Sequence, residues 1–285
     1  MMIFVTGATG TIGNLLLREL IGQNQEIAAL VRTEEQARHV KELGASVIVG
    51  DLNEPSSYKP TLAQCEIAFV LTAATPNQVE QENNLVASAV AVGTSLVYLS
   101  VLGAAPNSKS RIARNHGETQ QVLAQSDVNY TVLQPGSFMQ NLLNSTYSVR
   151  TANVIAAPAA DAAISMIDAR DIAASVAAVL INPLRHVNQT YQLTGSEAVT
   201  YAQVASQLSA VLGKQINYND ITSDEALQSY LSNGISQWLA EAIIEIYDAS
   251  REGYASLVTG DVDKLIGRAP RSVETFLSDY ADSFK

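Results

Sequence analysis

The chain opens MMIFVTGATGTIG, residues 1–13, and this stretch decides the fold. Residues 2–5 form an apolar run that stops at a glycine turn, the pattern of a short buried strand. Thr6, Gly7, Ala8, Thr9, Gly10, Thr11, Ile12 and Gly13 follow. Residues 14–22 then place Leu15, Leu16, Leu17, Leu20 and Ile21 on one helical face. Strand, glycine turn and helix bring a helix N-terminus to a phosphate, because unpaired N–H groups and the helix dipole both favour an anion there. Gly7 takes the tight turn off the strand. Gly10 lacks the Cβ that would keep a pyrophosphate from the backbone, and Gly13 lets the helix pack closely. The spacing is G-x-x-G-x-x-G rather than G-x-G-x-x-G. A purely structural βα turn is the alternative, and the flanking strand and helix weigh against it.

Working outward, residues 26–31 (EIAALV) read as a second strand ending at Arg32. In a dinucleotide fold an acid at this strand end bonds a ribose 2′-hydroxyl, whereas an Arg accommodates a 2′-phosphate. No acid occurs before Glu34, and the fork of Arg32 suits phosphate; a solvated surface arginine is the alternative. Residues 34–43 read as a helix and 46–49 as a third strand, followed by Asp51 and Leu52. Asp51 either lies near an adenine edge or caps the turn of segment 55–63. Residues 66–72 (EIAFVLT) read as a fourth strand with a small, polar exit at Thr72 and Ala73. Residues 77–92 read as a helix, 96–100 as a fifth strand, 110–126 as a helix and 130–133 as a sixth strand.

Strands alternating with helices argue a parallel sheet whose ligands sit at the strands' carboxyl ends. That adds Ser100, His116, Pro135 and Gly136 to the candidates. The fold class is therefore α/β, a Rossmann-type doubly wound parallel sheet with a smaller, mostly helical C-terminal region that completes a substrate cleft. The expected division is residues 1–153 for the dinucleotide-binding domain and 154–285 for the smaller region, whose chain can revisit the main sheet. In that region 154–156 and 164–167 are short apolar pieces, Asp168 or Asp171 starts an Ala-rich helix, and 189–194 alternates as a strand. Residues 201–212, 223–231, 236–247, 262–266 and 273–280 supply the rest.

The 285 residues are 47% apolar and only 16% charged, against roughly 25% in ordinary domains. A net charge of −11 gives no general attraction for nucleic acid. The single cysteine, Cys65, excludes an internal disulfide and a Cys-rich metal site. With no charged leader and no apolar run of membrane-span length, a cytoplasmic protein is expected.

GATGTIG after the first strand, ALVRTEEQA, VIVGDL and YTVLQPGSFMQN resemble the NmrA-like branch of the atypical short-chain dehydrogenase/reductases. NHGETQQVL, IDARDIAASVAAVL, YQLTG with LGKQINY, and VDKLIGRAP resemble its bacterial NAD(P)H:quinone oxidoreductase subgroup, so the likeness covers nearly the whole chain. It implies a Rossmann fold, NADP(H) as cofactor, and either quinone reduction or redox sensing. The cofactor candidates are Gly7, Thr9, Gly10, Thr11, Ile12, Gly13, Arg32, Asp51, Leu52, Thr72, Ala73, Ser100, Pro135, Gly136 and Phe138.

Ordinary short-chain dehydrogenases carry Y-x-x-x-K, a Tyr that trades a proton with the substrate oxygen. None of the eleven Tyr residues has Lys four positions on; where the motif should fall stand Ile112 and His116. Quinone reduction tolerates this, because the reduced oxygen is a phenolate far less basic than an alkoxide. His116 either donates to the quinone oxygen or bonds only cofactor or backbone. Asn141 either reaches the substrate or caps a loop, and Phe138 either walls the pocket or is core. These two, His116 and Asn141, are the catalytic candidates. No G-x-S-x-G elbow, no G-x-x-x-x-G-K-[ST] loop and no zinc spacing among His39, His116 and His186 occurs, so no metal is expected.

The leading expectation is an NADPH-dependent oxidoreductase passing a hydride to a small quinone-like acceptor, without flavin. The alternative is a non-catalytic NADP(H)-binding sensor acting through a protein partner, and an enzyme on another activated substrate shares the fold. Nucleic-acid and membrane partners are not expected; a homodimer is the assembly kept open.

Overall fold

The computed structural model describes residues 1–285, and the chain falls into two interleaved compact units. The first takes residues 1–108, 112–134 and 172–191; the second takes 109–111, 135–171 and 192–285.

The first unit follows the alternation read from the sequence. Its elements run β1 (Met2–Val5), α1 (Thr11–Gly22), β2 (Glu26–Val31), α2 (Glu34–Glu42), β3 (Ser46–Val49), α3 (Lys59–Leu62), β4 (Ile67–Val70), α4 (Gln78–Val92), β5 (Ser95–Leu99), α5 (Arg111–Ala124) and β6 (Tyr130–Pro135). After α6 (Thr146–Ala152) and β7 (Val154–Ala157) of the second unit, the chain returns through α7 (Ala169–Ile181) to β8 (Gln189–Leu193). The sheet order is β3-β2-β1-β4-β5-β6-β8. Pairing is parallel from β3 to β6, with Phe4 in register with Ala28 on one side and Ala68 on the other. Helices cover both faces, so the central strands are apolar throughout: Ile67, Ala68, Phe69 and Val70 are all buried. Order reversal beside β1 creates the switch point at which such sheets bind ligands. All six paired strands end on the same edge, and the expected residues from Gly7 to Ser100 follow those ends.

Several boundaries differ from the sequence expectation: the strand read at 66–72 covers Ile67–Val70, and the helix read at 236–247 runs Gln237–Arg251. Helix α1 begins at Thr11, inside the glycine stretch, because Gly10 serves as its N-cap. Segment 55–63 is a 3-10 turn, Pro55–Ser57, followed by the single-turn α3, each with a proline in its first turn, where the missing N–H is tolerated.

The second unit has its own core, centred on Met139, Leu142, Val149, Ile155, Val204, Leu208, Phe276 and Phe284. Its remaining elements are α8 (Tyr201–Leu212), β9 (Asn217–Asp220), α9 (Ser223–Ser232), α10 (Gln237–Arg251), α11 (Asp261–Ile266) and α12 (Val273–Asp279). Capping boxes at Thr200/Gln203 and Thr222/Glu225 start α8 and α9. Strands β7 and β9 pair in parallel as a two-stranded sheet that the polar sequence NYND did not announce. Arg268 and Arg271 close on buried Asp171, pinning the chain after α11 to α7's first turn. No helix is long and apolar enough to cross a membrane.

Candidate cofactor site

The turn after β1 is built around two glycines. Gly7 has φ +66°, and a Cβ there would sit 2.9 Å from the Leu71 carbonyl oxygen. Gly13 is tighter: its Cβ would fall 2.1 Å from the Gly7 carbonyl oxygen and 2.8 Å from Ala8 Cα. The turn is therefore folded against the first turn of α1, and backbone meets backbone. Thr6 locks the loop to the neighbouring strand end, its hydroxyl donating to the Leu71 carbonyl (2.9 Å) and accepting from the Leu71 amide (2.8 Å).

This cradle fits a pyrophosphate. No side chain caps α1, and its first turn carries no acid. The first helical bond runs from the Asn14 amide to the Gly10 carbonyl, so the amides of Thr11, Ile12 and Gly13 precede the ladder. A Cβ on Gly10 would meet only the Gly7 oxygen at 3.4 Å, and Thr9, Gly10 and Thr11 are exposed. Ile12 is buried beneath them.

Arg32 leaves β2 with its amide held by Gln36 Oε1 at 2.9 Å, while Thr33 caps α2 through the Gln36 amide. The backbone of Arg32 is thus fixed and its side chain is exposed. Asp51 takes its bonds locally: Oδ1 accepts from the Asn53 amide (2.8 Å) and side chain (2.9 Å), an Asx turn. Leu52 is half-buried beside it, its carbonyl receiving Asn84 Nδ2 at 3.1 Å. Ala73 is exposed after β4. Ser100, 2% exposed, follows β5, its amide bonded to the Leu133 carbonyl on β6.

Behind these strand ends lies a cluster that the sequence reading did not assemble. Glu82 on α4 is fully buried, with no Arg or Lys bonded to it. Its Oε1 accepts from Thr72 Oγ1 (2.6 Å) and Gln78 Nε2 (3.1 Å), and its Oε2 from Tyr98 Oη (2.7 Å) and Thr119 Oγ1 (2.7 Å). Four neutral donors fill the acceptor sites of an ionised carboxylate and replace its hydration. His116 completes the cluster. With the Tyr98 proton directed to Glu82, His116 Nδ1–H donates to Tyr98 Oη at 2.5 Å, and its Nε2 faces the Gln78 amide nitrogen at 3.1 Å. Burial pushes the Tyr98 phenol well above its ordinary range, with the Glu82 charge adding to it. Burial also holds the His116 imidazole below its usual value, against the opposing pull of Glu82.

The histidines set a pH dependence. His186 is lowered too, by burial and then by Arg185. The unfolded chain protonates these imidazoles near pH 6.5, while the folded chain resists until lower pH. Stability therefore falls as pH drops below about 6.5. Urea unfolding at pH 7.5 and 5.5 is expected to show this loss, and His116→Gln to shrink it.

The later candidates from the sequence, Pro135, Gly136, Phe138 and Asn141, belong to the second unit. Gly136 donates its amide to the Leu193 carbonyl (2.9 Å), and a Cβ there would sit 2.8 Å from the Ser165 carbonyl oxygen. Phe138, half-buried after Pro135, bridges in parallel to Ile167. Asn141 is exposed in the 3-10 turn Met139–Ser145. Gln140 in that turn is bonded to the buried Asp168 carboxylate at 3.0 Å.

A glycine cradle at a helix start, a strand-end arginine and a parallel sheet with its switch point define a dinucleotide-binding α/β protein. The chain belongs to the NmrA-like family, whose model matches residues 1–277. It is 37% identical to an NAD(P)H azoreductase of Xenophilus azovorans over 99% of both chains. Quinone oxidoreductase 2 of Escherichia coli is 28% identical, over 93% of this chain and 94% of that one. The solved NADPH complex of the Escherichia coli NADPH-dependent quinone oxidoreductase QOR2 superposes with a TM-score of 0.89 at 26% identity, over 98% of this chain and 99% of the other.

Proposed function

We propose that this protein is an NADPH-dependent reductase of small, electron-poor conjugated acceptors, with quinones as the principal class. The observation that carries this reading concerns the proton donor. No Tyr of the chain is followed by Lys four residues on, and both nitrogens of His116 are engaged inside the fold. A ketone's developing alkoxide needs a positioned acid, whereas a quinone leaves as a phenolate that water can protonate. The azoreductase relative adds azo compounds as acceptors of similar electron demand.

NADPH supplies the hydride when bound. The amides of Thr11, Ile12 and Gly13 hold its pyrophosphate, and Arg32 holds the 2′-phosphate. Asp51, Leu52, Thr72 and Ala73 flank the adenosine half, while Ser100, Pro135, Gly136 and Phe138 are assigned to the nicotinamide half. Asn141 is retained as the candidate contact to the acceptor. His116 receives a positioning role, holding Tyr98 and Gln78 behind the site. The residues act by orientation, which alone can remove a large part of the barrier to hydride transfer.

Saturable NADPH oxidation by 1,4-benzoquinone, faster than with NADH, is the expected result; tight NADPH binding without turnover on quinone or azo acceptors contradicts it. Arg32→Ala tests the cofactor preference. Loss of a charge-assisted contact costs about 1.5–3 kcal/mol, so the NADPH/NADH affinity ratio should fall roughly ten- to hundredfold. An unchanged ratio would remove Arg32 from the site.

A further inference from the structure

Ser100 sits at the end of a directional chain of amides. Gln134, buried on β6, donates Nε2–H to Gln120 Oε1 at 3.0 Å, and Gln120 on α5 donates Nε2–H to Ser100 Oγ at 2.6 Å. Each amide has one donor end and one acceptor end, so anchoring Gln120 Oε1 turns its NH₂ toward the serine. The Ser100 oxygen then receives a hydrogen bond, and its own proton has to go elsewhere. The sheet fixes the backbone: the Ser100 amide is held by the Leu133 carbonyl at 2.8 Å. Ser100 also lies two residues from Tyr98 on β5, and Gln120 four from His116 on α5, so each pair shares a face.

We propose that Gln120, anchored by Gln134, is a positioning residue that sets Ser100 as a hydrogen-bond donor to a carbonyl oxygen at the carboxyl edge of the sheet. This rests on the reading of that edge as the nicotinamide site. Two carbonyls fit the chemistry: the carboxamide of the nicotinamide and the carbonyl of the acceptor. An arriving carbonyl has only lone pairs to offer, so a Ser100 that already donates into the fold would be of no use to it.

Gln120→Glu is the discriminating variant. Its carboxylate still accepts from Gln134 but also accepts the Ser100 proton, reversing the polarity of the hydroxyl with little change in shape. NADPH dissociation constants by fluorescence titration, and kcat and KM for 1,4-benzoquinone, are measured for wild type, Ser100→Ala, Gln120→Glu and the double variant, with thermal melts to confirm folding. Ser100→Ala and Gln120→Glu should each weaken the same step about tenfold, and Gln120→Glu should add nothing in the Ser100→Ala background. A shift in NADPH affinity identifies the carboxamide; a shift in kcat or KM at unchanged NADPH affinity identifies the acceptor. Gln120→Leu, which releases the rotor without inverting it, should show a smaller loss on that same step, and it serves if the carboxylate misfolds. Wild-type behaviour of Gln120→Glu beside an impaired Ser100→Ala would mean that the relay runs the other way, and would overturn the proposal while leaving the reductase reading intact. A wild-type chain that binds no NADPH would overturn both.

Discussion

Glu82→Ala is expected to lose about 3 kcal/mol or more of folding stability, a large share of the roughly 5–15 kcal/mol of an ordinary chain. The carboxylate is the common acceptor for Thr72, Gln78, Tyr98 and Thr119. Truncating it strands three buried donors, Gln78, Tyr98 and Thr119, and the half-buried Thr72, and each unsatisfied buried group costs about 1–3 kcal/mol, partly relieved where water enters the space. The four donors come from the loop after β4, from α4, from β5 and from α5. The same change should therefore loosen the strand ends that carry Thr72 and Ser100. Glu82→Gln keeps the volume but offers one NH₂ toward groups that are themselves donors, so it should be destabilising as well. Urea denaturation of both variants beside wild type is the check. Wild-type midpoints would mean that water already solvates the site and that the cluster is incidental.

Gly13→Ala should abolish NADPH binding at concentrations that saturate wild type. The added methyl falls 2.1 Å from the Gly7 carbonyl oxygen and 2.8 Å from Ala8 Cα, neither of which is the end of a flexible side chain. Relief requires the turn to move off α1, and the amides of Thr11 and Ile12 move with it. Overpacking of this kind costs about 1–3 kcal/mol of stability. The larger effect is on the anion site, whose donors act only when aimed together. Gly10→Ala is the control, because its Cβ meets nothing closer than 3.4 Å in the chain. It should fold as wild type and lose affinity only through its approach to the pyrophosphate. NADPH titration with thermal melts separates the two, and full affinity in Gly13→Ala would contradict the cradle.

Much of the fold was legible because it rests on local pattern. The glycine stretch, the buried strands and the capped helices 201–212 and 223–231 each announce themselves within a dozen residues. The polar β9 did not, since NYND has no apolar period and acquires its strand form only beside β7. The shared placement of Gly7, Arg32, Asp51, Thr72 and Ser100 was legible for the same reason: a parallel sheet carries them to one edge whatever the loops do. The cluster behind it was not, because its members are spread from Thr72 to Thr119 and meet only through tertiary packing. A signal was present on α4, where Gln78 and Glu82 precede Leu85 and Ala89 along one buried stripe. An acid on an apolar face is a partner waiting to be found. His116 stood out through the missing Tyr and Lys, but its role depends on Tyr98 and Gln78, which spacing does not connect. Gln120 and Gln134 lie in the family-like stretches NHGETQQVL and YTVLQPGSFMQN, but nothing in their spacing joins them to each other or to Ser100.

The most direct test compares two acceptors in one run: NADPH oxidation, followed by nicotinamide absorbance, with 1,4-benzoquinone and with a simple aliphatic ketone, against a blank without protein. Saturable turnover of the quinone, with the ketone at the blank rate, is the predicted result, because orientation suffices for the first and a positioned acid is needed for the second. Comparable turnover of the ketone would mean that the chain supplies an acid after all, and would contradict the account.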